Sequence, residues 1–197
     1  MASPHFPDFT GLVVDGGRAT RLSGAHKAFL EIGGRPIAAR TTEMFRRLFA
    51  DVVASSDRPA AWLPLGVRCV PDPAPGCGPL AGIAAGLAAC RTPFAFVVAG
   101  DMPELSEAVV TAICRRALDI GRTIVPRDAD GRAEPLHAAY AVSDAPVALE
   151  ALHRGVRKLT DFLDLVPVAW IEADELASLP GASRTFRNVN TPGDLEG

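Results

Sequence analysis

Several residues in this chain could do phosphate chemistry, and they fall at a few points along it. Asp15-Gly16-Gly17-Arg18-Ala19-Thr20-Arg21 is followed by Gly24 and Lys27. Glycines let backbone N–H groups approach phosphates or the edge of a base closely, and Arg21 and Lys27 can neutralise a triphosphate. The bland alternative is a glycine turn bearing two solvated cations. The segment is not a Walker loop, because Ala28 stands where Ser or Thr would follow Lys27, nor does it contain G-x-G-x-x-G. Asp101 follows an apolar run and Gly100. A carboxylate there could hold a divalent ion that also binds substrate phosphates, or it could cap the helix expected after Pro103. Asp72, in a Pro/Gly-rich segment, reads on its own as a turn residue.

These residues need a scaffold that brings them to one place. Phe9–Val14 reads as a first strand, Asp51–Ala54 as a second and Val67–Val70 as a third, with Phe94–Ala99 as a central strand covered on both faces. Later strands are expected at Thr123–Val125, Leu136–Val142 and Val166–Ile171. A helix is expected from Pro36 onward, where Ile37, Met44, Phe45 and Leu48 recur at helical spacing. Leu80, Ile83, Ala84, Leu87 and Ala88 form the stripe of a second helix, packed by small residues. Further helices are expected at Glu104–Ile120, Asp144–His153 and Lys158–Leu165, and the tail after Ala173 is poorly patterned. Alternating strands and helices imply an α/β fold: a single Rossmann-like nucleotide-binding domain over residues 1–197, with a mostly parallel, mixed central sheet flanked by helices. Ligands of such sheets sit beyond the carboxyl ends of the strands. The Gly16 loop, Ser55, Asp72 and Gly100-Asp101-Met102-Pro103 each follow a strand, so they are expected to converge.

Composition sets bounds. A chain of 197 residues with 48% apolar residues can bury a full core. A formal net charge of −3 argues against a nucleic-acid binder. Cys69, Cys77, Cys90 and Cys114 form no C-x-x-C pair and are expected to be small buried hydrophobes in a reducing compartment. His5, His26, His137 and His153 lack metal-ligand spacing, and His137 reads as a hydrogen-bonded structural histidine. With no leader-like start and no long apolar run, a cytoplasmic, non-membrane protein is expected.

Four segments together resemble a known family. Val14-Asp15-Gly16-Gly17 with Arg21 and Lys27 is similar to the L-A-G-G-x-x-x-R-M-G-x-x-K opening of MobA-type molybdenum cofactor guanylyltransferases. Gly78-Pro79-Leu80-Ala81-Gly82 resembles their G-P-L-A-G, Gly100-Asp101-Met102-Pro103 their D-x-P metal motif, and Asn188-Val189-Asn190-Thr191-Pro192 their N-x-N-T-P. The resemblance implies that GTP is bound by Val14, Asp15, Gly16, Gly17, Lys27, Ser55, Asp72 and Asp101, with Asp101 also holding Mg²⁺. It implies catalytic roles for Arg21, Lys27 and Asp101, and a molybdopterin site in the second half, near Asn188 and Asn190. The implied reaction transfers GMP from GTP to the molybdenum-loaded cofactor, and the product passes to a molybdoenzyme or its chaperone.

The chain departs from that pattern at three positions. Asp15 stands for a small alanine, His26 for the acid before the lysine, and Ser55 for an asparagine. Asp15 is expected to point away from the phosphates and pair with Arg18 or Arg21. Two alternatives remain: a cytidylyltransferase for the same cofactor, against which Gly16 stands because those enzymes carry alanine there, and a non-catalytic accessory protein that binds the cofactor.

Overall fold

The computed structural model describes residues 5–16, 26–72 and 78–189. Its strands are β1 (Phe6–Asp15), β2 (Glu31–Ile32), β3 (Arg35–Pro36), β4 (Phe49–Ser56), β5 (Arg68–Val70), β6 (Phe94–Ala99), β7 (Thr123–Pro126), β8 (His137–Ala141) and β9 (Val168–Ile171). Its α-helices are α1 (Ile37–Leu48), α2 (Pro59–Trp62), α3 (Pro79–Ala89), α4 (Glu107–Ile120), α5 (Ala145–His153), α6 (Leu159–Leu163) and α7 (Ala173–Ala177). Seven strands form one sheet in the order β5-β4-β1-β6-β8-β7-β9. β8 runs antiparallel to both neighbours, β6 and β7, while the other pairings are parallel. The fold is therefore the mixed, mostly parallel α/β sheet expected of the strand–helix alternation.

Side chains alternate across each strand, so the sheet feeds two cores. Phe9 and Val13 of β1 and Phe96 and Val98 of β6 pack on one face with Phe45, Leu48, Val109 and Ile113. Leu12 and Val14 of β1 and Ala95 and Val97 of β6 pack on the other with Leu80, Ile83, Leu87 and Phe162. β1 lies so close to its helices that Gly11, Gly82 and Gly86 leave no room for a side chain without a shift of their neighbours. A Cβ at Gly86 of α3 would come within 2.3 Å of Leu12 Cδ1, and one at Gly11 would come within 2.2 Å of Phe45 Cδ2 and 3.0 Å of Phe45 Cβ. Alanine normally favours a strand over glycine by restricting the unfolded chain. At position 11 the overlap outweighs that gain, and Gly11→Ala is expected to lower stability by about 1–3 kcal/mol. A urea midpoint at or above that of the parent would contradict this.

Some boundaries differ from expectation. α4 begins at Glu107 rather than Glu104, because Ser106 is its N-cap and its Oγ accepts from Val109 N at 3.2 Å. Asp101 is thus not the cap of that helix. The tail expected to be unpatterned holds α7, whose Glu172 and Glu175 form a reciprocal capping box. Among the cysteines, Cys114 is buried, Cys69 and Cys90 are half-buried, and Cys77 lies outside the described residues. His137 is fully buried between the edges of Phe96 and Phe186. Its Nε2 is 3.4 Å from Thr185 Oγ1, but its Nδ1 has no partner among the described residues, so the expected hydrogen-bonded histidine is only half satisfied. Burial pushes its pKa down to about 3, which keeps it neutral.

Candidate active site

Parallel pairing forces the ends of β5, β4, β1 and β6 to one edge of the sheet. The register places Val70, Ser55, Val14 and Ala99 in a single row across these four strands. Asp72, Asp15-Gly16 and Gly100-Asp101 follow directly beyond that row. Gly100 N donates to Val14 O at 2.9 Å, which holds the β6 turn against the end of β1. Asp72 lies alongside Gly16: a Cβ on that glycine would be 3.9 Å from Asp72 Oδ2. The structure therefore brings Val14, Asp15, Gly16, Ser55, Asp72 and Asp101 together. Gly17, Arg18, Arg21, Gly24, Asn190, Thr191 and Pro192 lie outside the described residues.

Ser55 is 1% exposed, and its Oγ has no hydrogen-bond partner among the described residues. A buried hydroxyl without a partner is costly, so its presence calls for one. It sits under α3, where a Cβ at Gly82 would approach it to 3.3 Å and Val14 Cγ1 to 2.7 Å. The small residues of Gly78-Pro79-Leu80-Ala81-Gly82 let the first turn of α3 close over the strand ends.

Lys27 opens a short 3₁₀ turn, Lys27–Phe29, and its Nζ donates to Asp101 Oδ2 at 2.9 Å. Both side chains keep partial exposure at the sheet edge. Val189 N donates to Asp101 O at 2.9 Å, so the C-terminal segment crosses beside Asp101 and presents the exposed Asn188 at the same edge. That segment is anchored upstream where Thr185 Oγ1 accepts from Ser106 N at 2.9 Å.

Asp15 is 8% exposed, and its Oδ2 accepts from Ser56 Oγ at 3.1 Å and from Trp62 Nε1 at 3.0 Å. His26 Nδ1 lies 2.9 Å from the same oxygen, off the axis of its N–H, as an ion-pair contact rather than a straight hydrogen bond. Its pKa is raised, first by this polar contact with Asp15, against the opposing effects of burial and Arg58. The described partners of Asp15 are thus His26, Ser56 and Trp62, whereas Arg18 and Arg21, the partners expected for it, lie outside the described residues. Reading the sequence missed these three, because nothing in their spacing ties a strand-end aspartate to a histidine across a loop or to a tryptophan in another. Two departures from the family pattern are in contact with each other.

Burial pushes the Cys69 and Cys90 thiols up to about 11, so neither is a thiolate at neutral pH. Among the described residues no three His, Cys, Asp or Glu side chains cluster as a complete metal cage. The edge thus gathers one described cation, Lys27, with the carboxylates of Asp72 and Asp101 and the Ser55 hydroxyl, unpartnered among the described residues.

Comparison with known proteins shows the family. The family model of the MobA-like NTP transferase domain matches residues 11–168. A protein of Pelotomaculum thermopropionicum named "Probable molybdenum cofactor guanylyltransferase" is 34% identical over 188 residues, covering 94% of this chain and 89% of its own. The molybdenum cofactor guanylyltransferase of Serratia proteamaculans is 32% identical over 190 residues, covering 95% and 92%. Among solved structures, the molybdopterin-guanine dinucleotide biosynthesis protein A of Archaeoglobus fulgidus superimposes with a TM-score of 0.80 at 26% identity, covering 95% of each chain.

Proposed function

The chain belongs to the MobA-like NTP transferase family, and from that premise we propose that it transfers GMP from GTP to the molybdenum-loaded molybdopterin cofactor. The observation that carries this reading is the gathering of Gly16, Ser55, Asp72, Lys27 and Asp101 beyond the Val70–Ser55–Val14–Ala99 row. An oxygen of the cofactor's terminal phosphate attacks the α-phosphorus of GTP. The bond from that phosphorus to the α,β-bridging oxygen breaks, and pyrophosphate leaves with the electron pair. The protein supplies positioning and charge, and no side chain need form a covalent intermediate.

The roles follow from placement for the described residues and from the family motifs for Gly17 and Arg21. The backbone of Val14, Asp15, Gly16 and Gly17 approaches the nucleotide, and Lys27 and Arg21 balance charge on its phosphates. Ser55 offers its hydroxyl to the base. Asn188, next to the Val189 that bonds Asp101, serves the pterin substrate together with Asn190, whose role rests on the N-x-N-T-P motif. The contacts of Asp15 with His26, Ser56 and Trp62 support a reading in which its carboxylate is engaged within the fold rather than set against the triphosphate.

The residues fit a Mg²⁺ ion at Asp101. Its carboxylate already attracts a cation, the Lys27 ammonium, and Mg²⁺ commonly uses one or two carboxylates together with substrate phosphates. When bound there, the ion supplies Lewis-acid polarisation of the phosphoryl group.

The test is incubation of the purified chain with Mg²⁺, molybdenum-loaded molybdopterin and GTP, CTP or ATP in turn. Dinucleotide is expected from GTP. Gly16 presents backbone N–H groups without a side chain, and these suit the guanine carbonyl but not the adenine amino group. A mismatch that leaves buried polar groups unpaired discriminates by about 10²-fold or more. Preferred use of CTP would assign the chain to cytidylyl transfer, and no product with any nucleotide would overturn the reading.

A further inference from the structure

We propose that His26 and Asp15 act as a positioning pair that sets Lys27 against Asp101. The proposal rests on the nucleotide-transfer reading only for the purpose that Lys27 serves.

The argument starts from where the turn 26–29 is attached. His26 Nδ1 meets Asp15 Oδ2 at 2.9 Å, which fastens the turn to the end of β1. One residue on, Lys27 reaches Asp101 at the end of β6. The next residue, Ala28, is fully buried, and a Cβ at Gly100 would lie 3.0 Å from Ala28 Cβ, 3.3 Å from Asp15 Cβ and 3.4 Å from Asp15 Oδ1. Phe29 then packs edge-on against both His26 and Trp62. Three successive residues therefore lie against the two strand ends, and the absence of a side chain at Gly100 leaves room for both Ala28 and Asp15 beside it. Lysine has four rotatable bonds and a large rotamer entropy, so a fixed backbone at its root is what makes one Nζ position cheap to hold.

Asp15 is itself immobilised. Ser56 and the fully buried Trp62 both donate to the oxygen that faces His26. Two neutral donors on Oδ2 in a nearly buried site fix the direction in which that oxygen meets the imidazole. Facing His26 are Asp15 from β1 and Asp57 and Arg58 from the segment after β4, with Lys27 beside it in its own turn. The imidazole pKa is raised by Asp15, so the cationic contact is complete at low pH and is lost as pH rises through that raised value, above the ordinary 6.5.

The chain offers an internal gauge, because it contains two lysines, Lys27 and Lys158. Lys158 is exposed at the start of α6. Brief treatment of the ligand-free protein with acetic anhydride, followed by peptide mass spectrometry, reads the Lys27:Lys158 acetylation ratio. Lys27 is expected to react several-fold more slowly in the parent. His26→Leu and Asp15→Asn are expected to raise the ratio at least about threefold, whereas His26→Asn, which keeps a donor near the Nδ1 position, is expected to stay within about twofold of the parent. The parent ratio is expected to rise by at most about twofold with pH above 6.5, because the neutral imidazole can still donate from Nδ1, and that of His26→Asn to stay flat. In GTP titrations, His26→Leu is expected to weaken affinity roughly tenfold, and His26→Asn to leave it near the parent value. Far-UV circular dichroism and thermal melting identify any variant that fails to fold, and Asp15→Asn and His26→Asn stand in for His26→Leu if it does.

A ratio unchanged in folded His26→Leu or Asp15→Asn would overturn the positioning role, whatever the GTP result. Equal loss of Lys27 protection in His26→Asn and His26→Leu would also overturn it. If the parent binds no GTP, the function proposed above fails, while the acetylation ratio still decides the pair.

Discussion

Turnover of the Asp101→Asn protein is expected to fall by about 10²-fold or more, the scale of losing a preorganised charge at a developing transition state. The substitution preserves size and polarity and removes the charge that a divalent cation requires. The fold is expected to survive, because the side chain's contact with Lys27 is partly exposed and the residue's contact with the C-terminal segment is made by its backbone. Asp101 O accepts from Val189 N whatever the side chain, so the C-terminal segment and Asn188 keep their place. The side chain contributes to no helix cap, since Ser106 fills that role for α4. The measurements are Mg²⁺-dependent dinucleotide formation and, separately, Mn²⁺ binding by electron paramagnetic resonance. Loss of both with an unchanged melting temperature is the expected pattern. Near-normal Mg²⁺-dependent transfer would remove Asp101 from the metal-binding role.

The elements that carry this site were largely legible in the sequence, because their cues are local. The apolar run Phe94–Ala99 coincides with β6, and the stripe through Leu80, Ile83, Leu87 and Ala88 lies within α3. Convergence of the strand ends followed from topology, since parallel strands linked by helices must end on one edge. Two missed elements had local cues as well. Gly33 and Gly34, with φ of 60° and 74°, form the two-residue turn between β2 and β3, and Gly-Gly is a known signature of such turns. Glu172 and Glu175 stand at capping-box spacing before a short helix. The environment of Asp15 was different in kind. Its partners come from positions 26, 56 and 62, brought together by tertiary packing, and charge alone pointed to the arginines nearest in sequence. Ser55 shows the reverse case. Its type departs from the family pattern, yet its burial without a described partner marks a polar demand that spacing could not reveal.

Lys27→Ala is expected to change two affinities in opposite directions. In the ligand-free protein the ammonium sits 2.9 Å from Asp101 Oδ2, where it occupies the same negative charge that would draw a divalent ion. Removing it leaves Asp101 with a larger share of its field, so Mn²⁺ alone is expected to bind more tightly. The nucleotide loses a cation that would neutralise its phosphates, so GTP measured without metal is expected to bind roughly 10- to 100-fold more weakly, the range of a lost charge-assisted hydrogen bond. Both shifts are expected to shrink with added salt, because the pair is partly exposed and screening reaches it. Lys158→Ala, on the exposed start of α6, is expected to change neither. Titration calorimetry for GTP and electron paramagnetic resonance for Mn²⁺, on all three proteins at two salt concentrations, separate the effects. Weaker binding of both ligands by Lys27→Ala would mean that the lysine shapes the site rather than balancing charge in it. Unchanged GTP affinity would remove Lys27 from the triphosphate, and the turn that His26 and Asp15 hold would then serve only the fold.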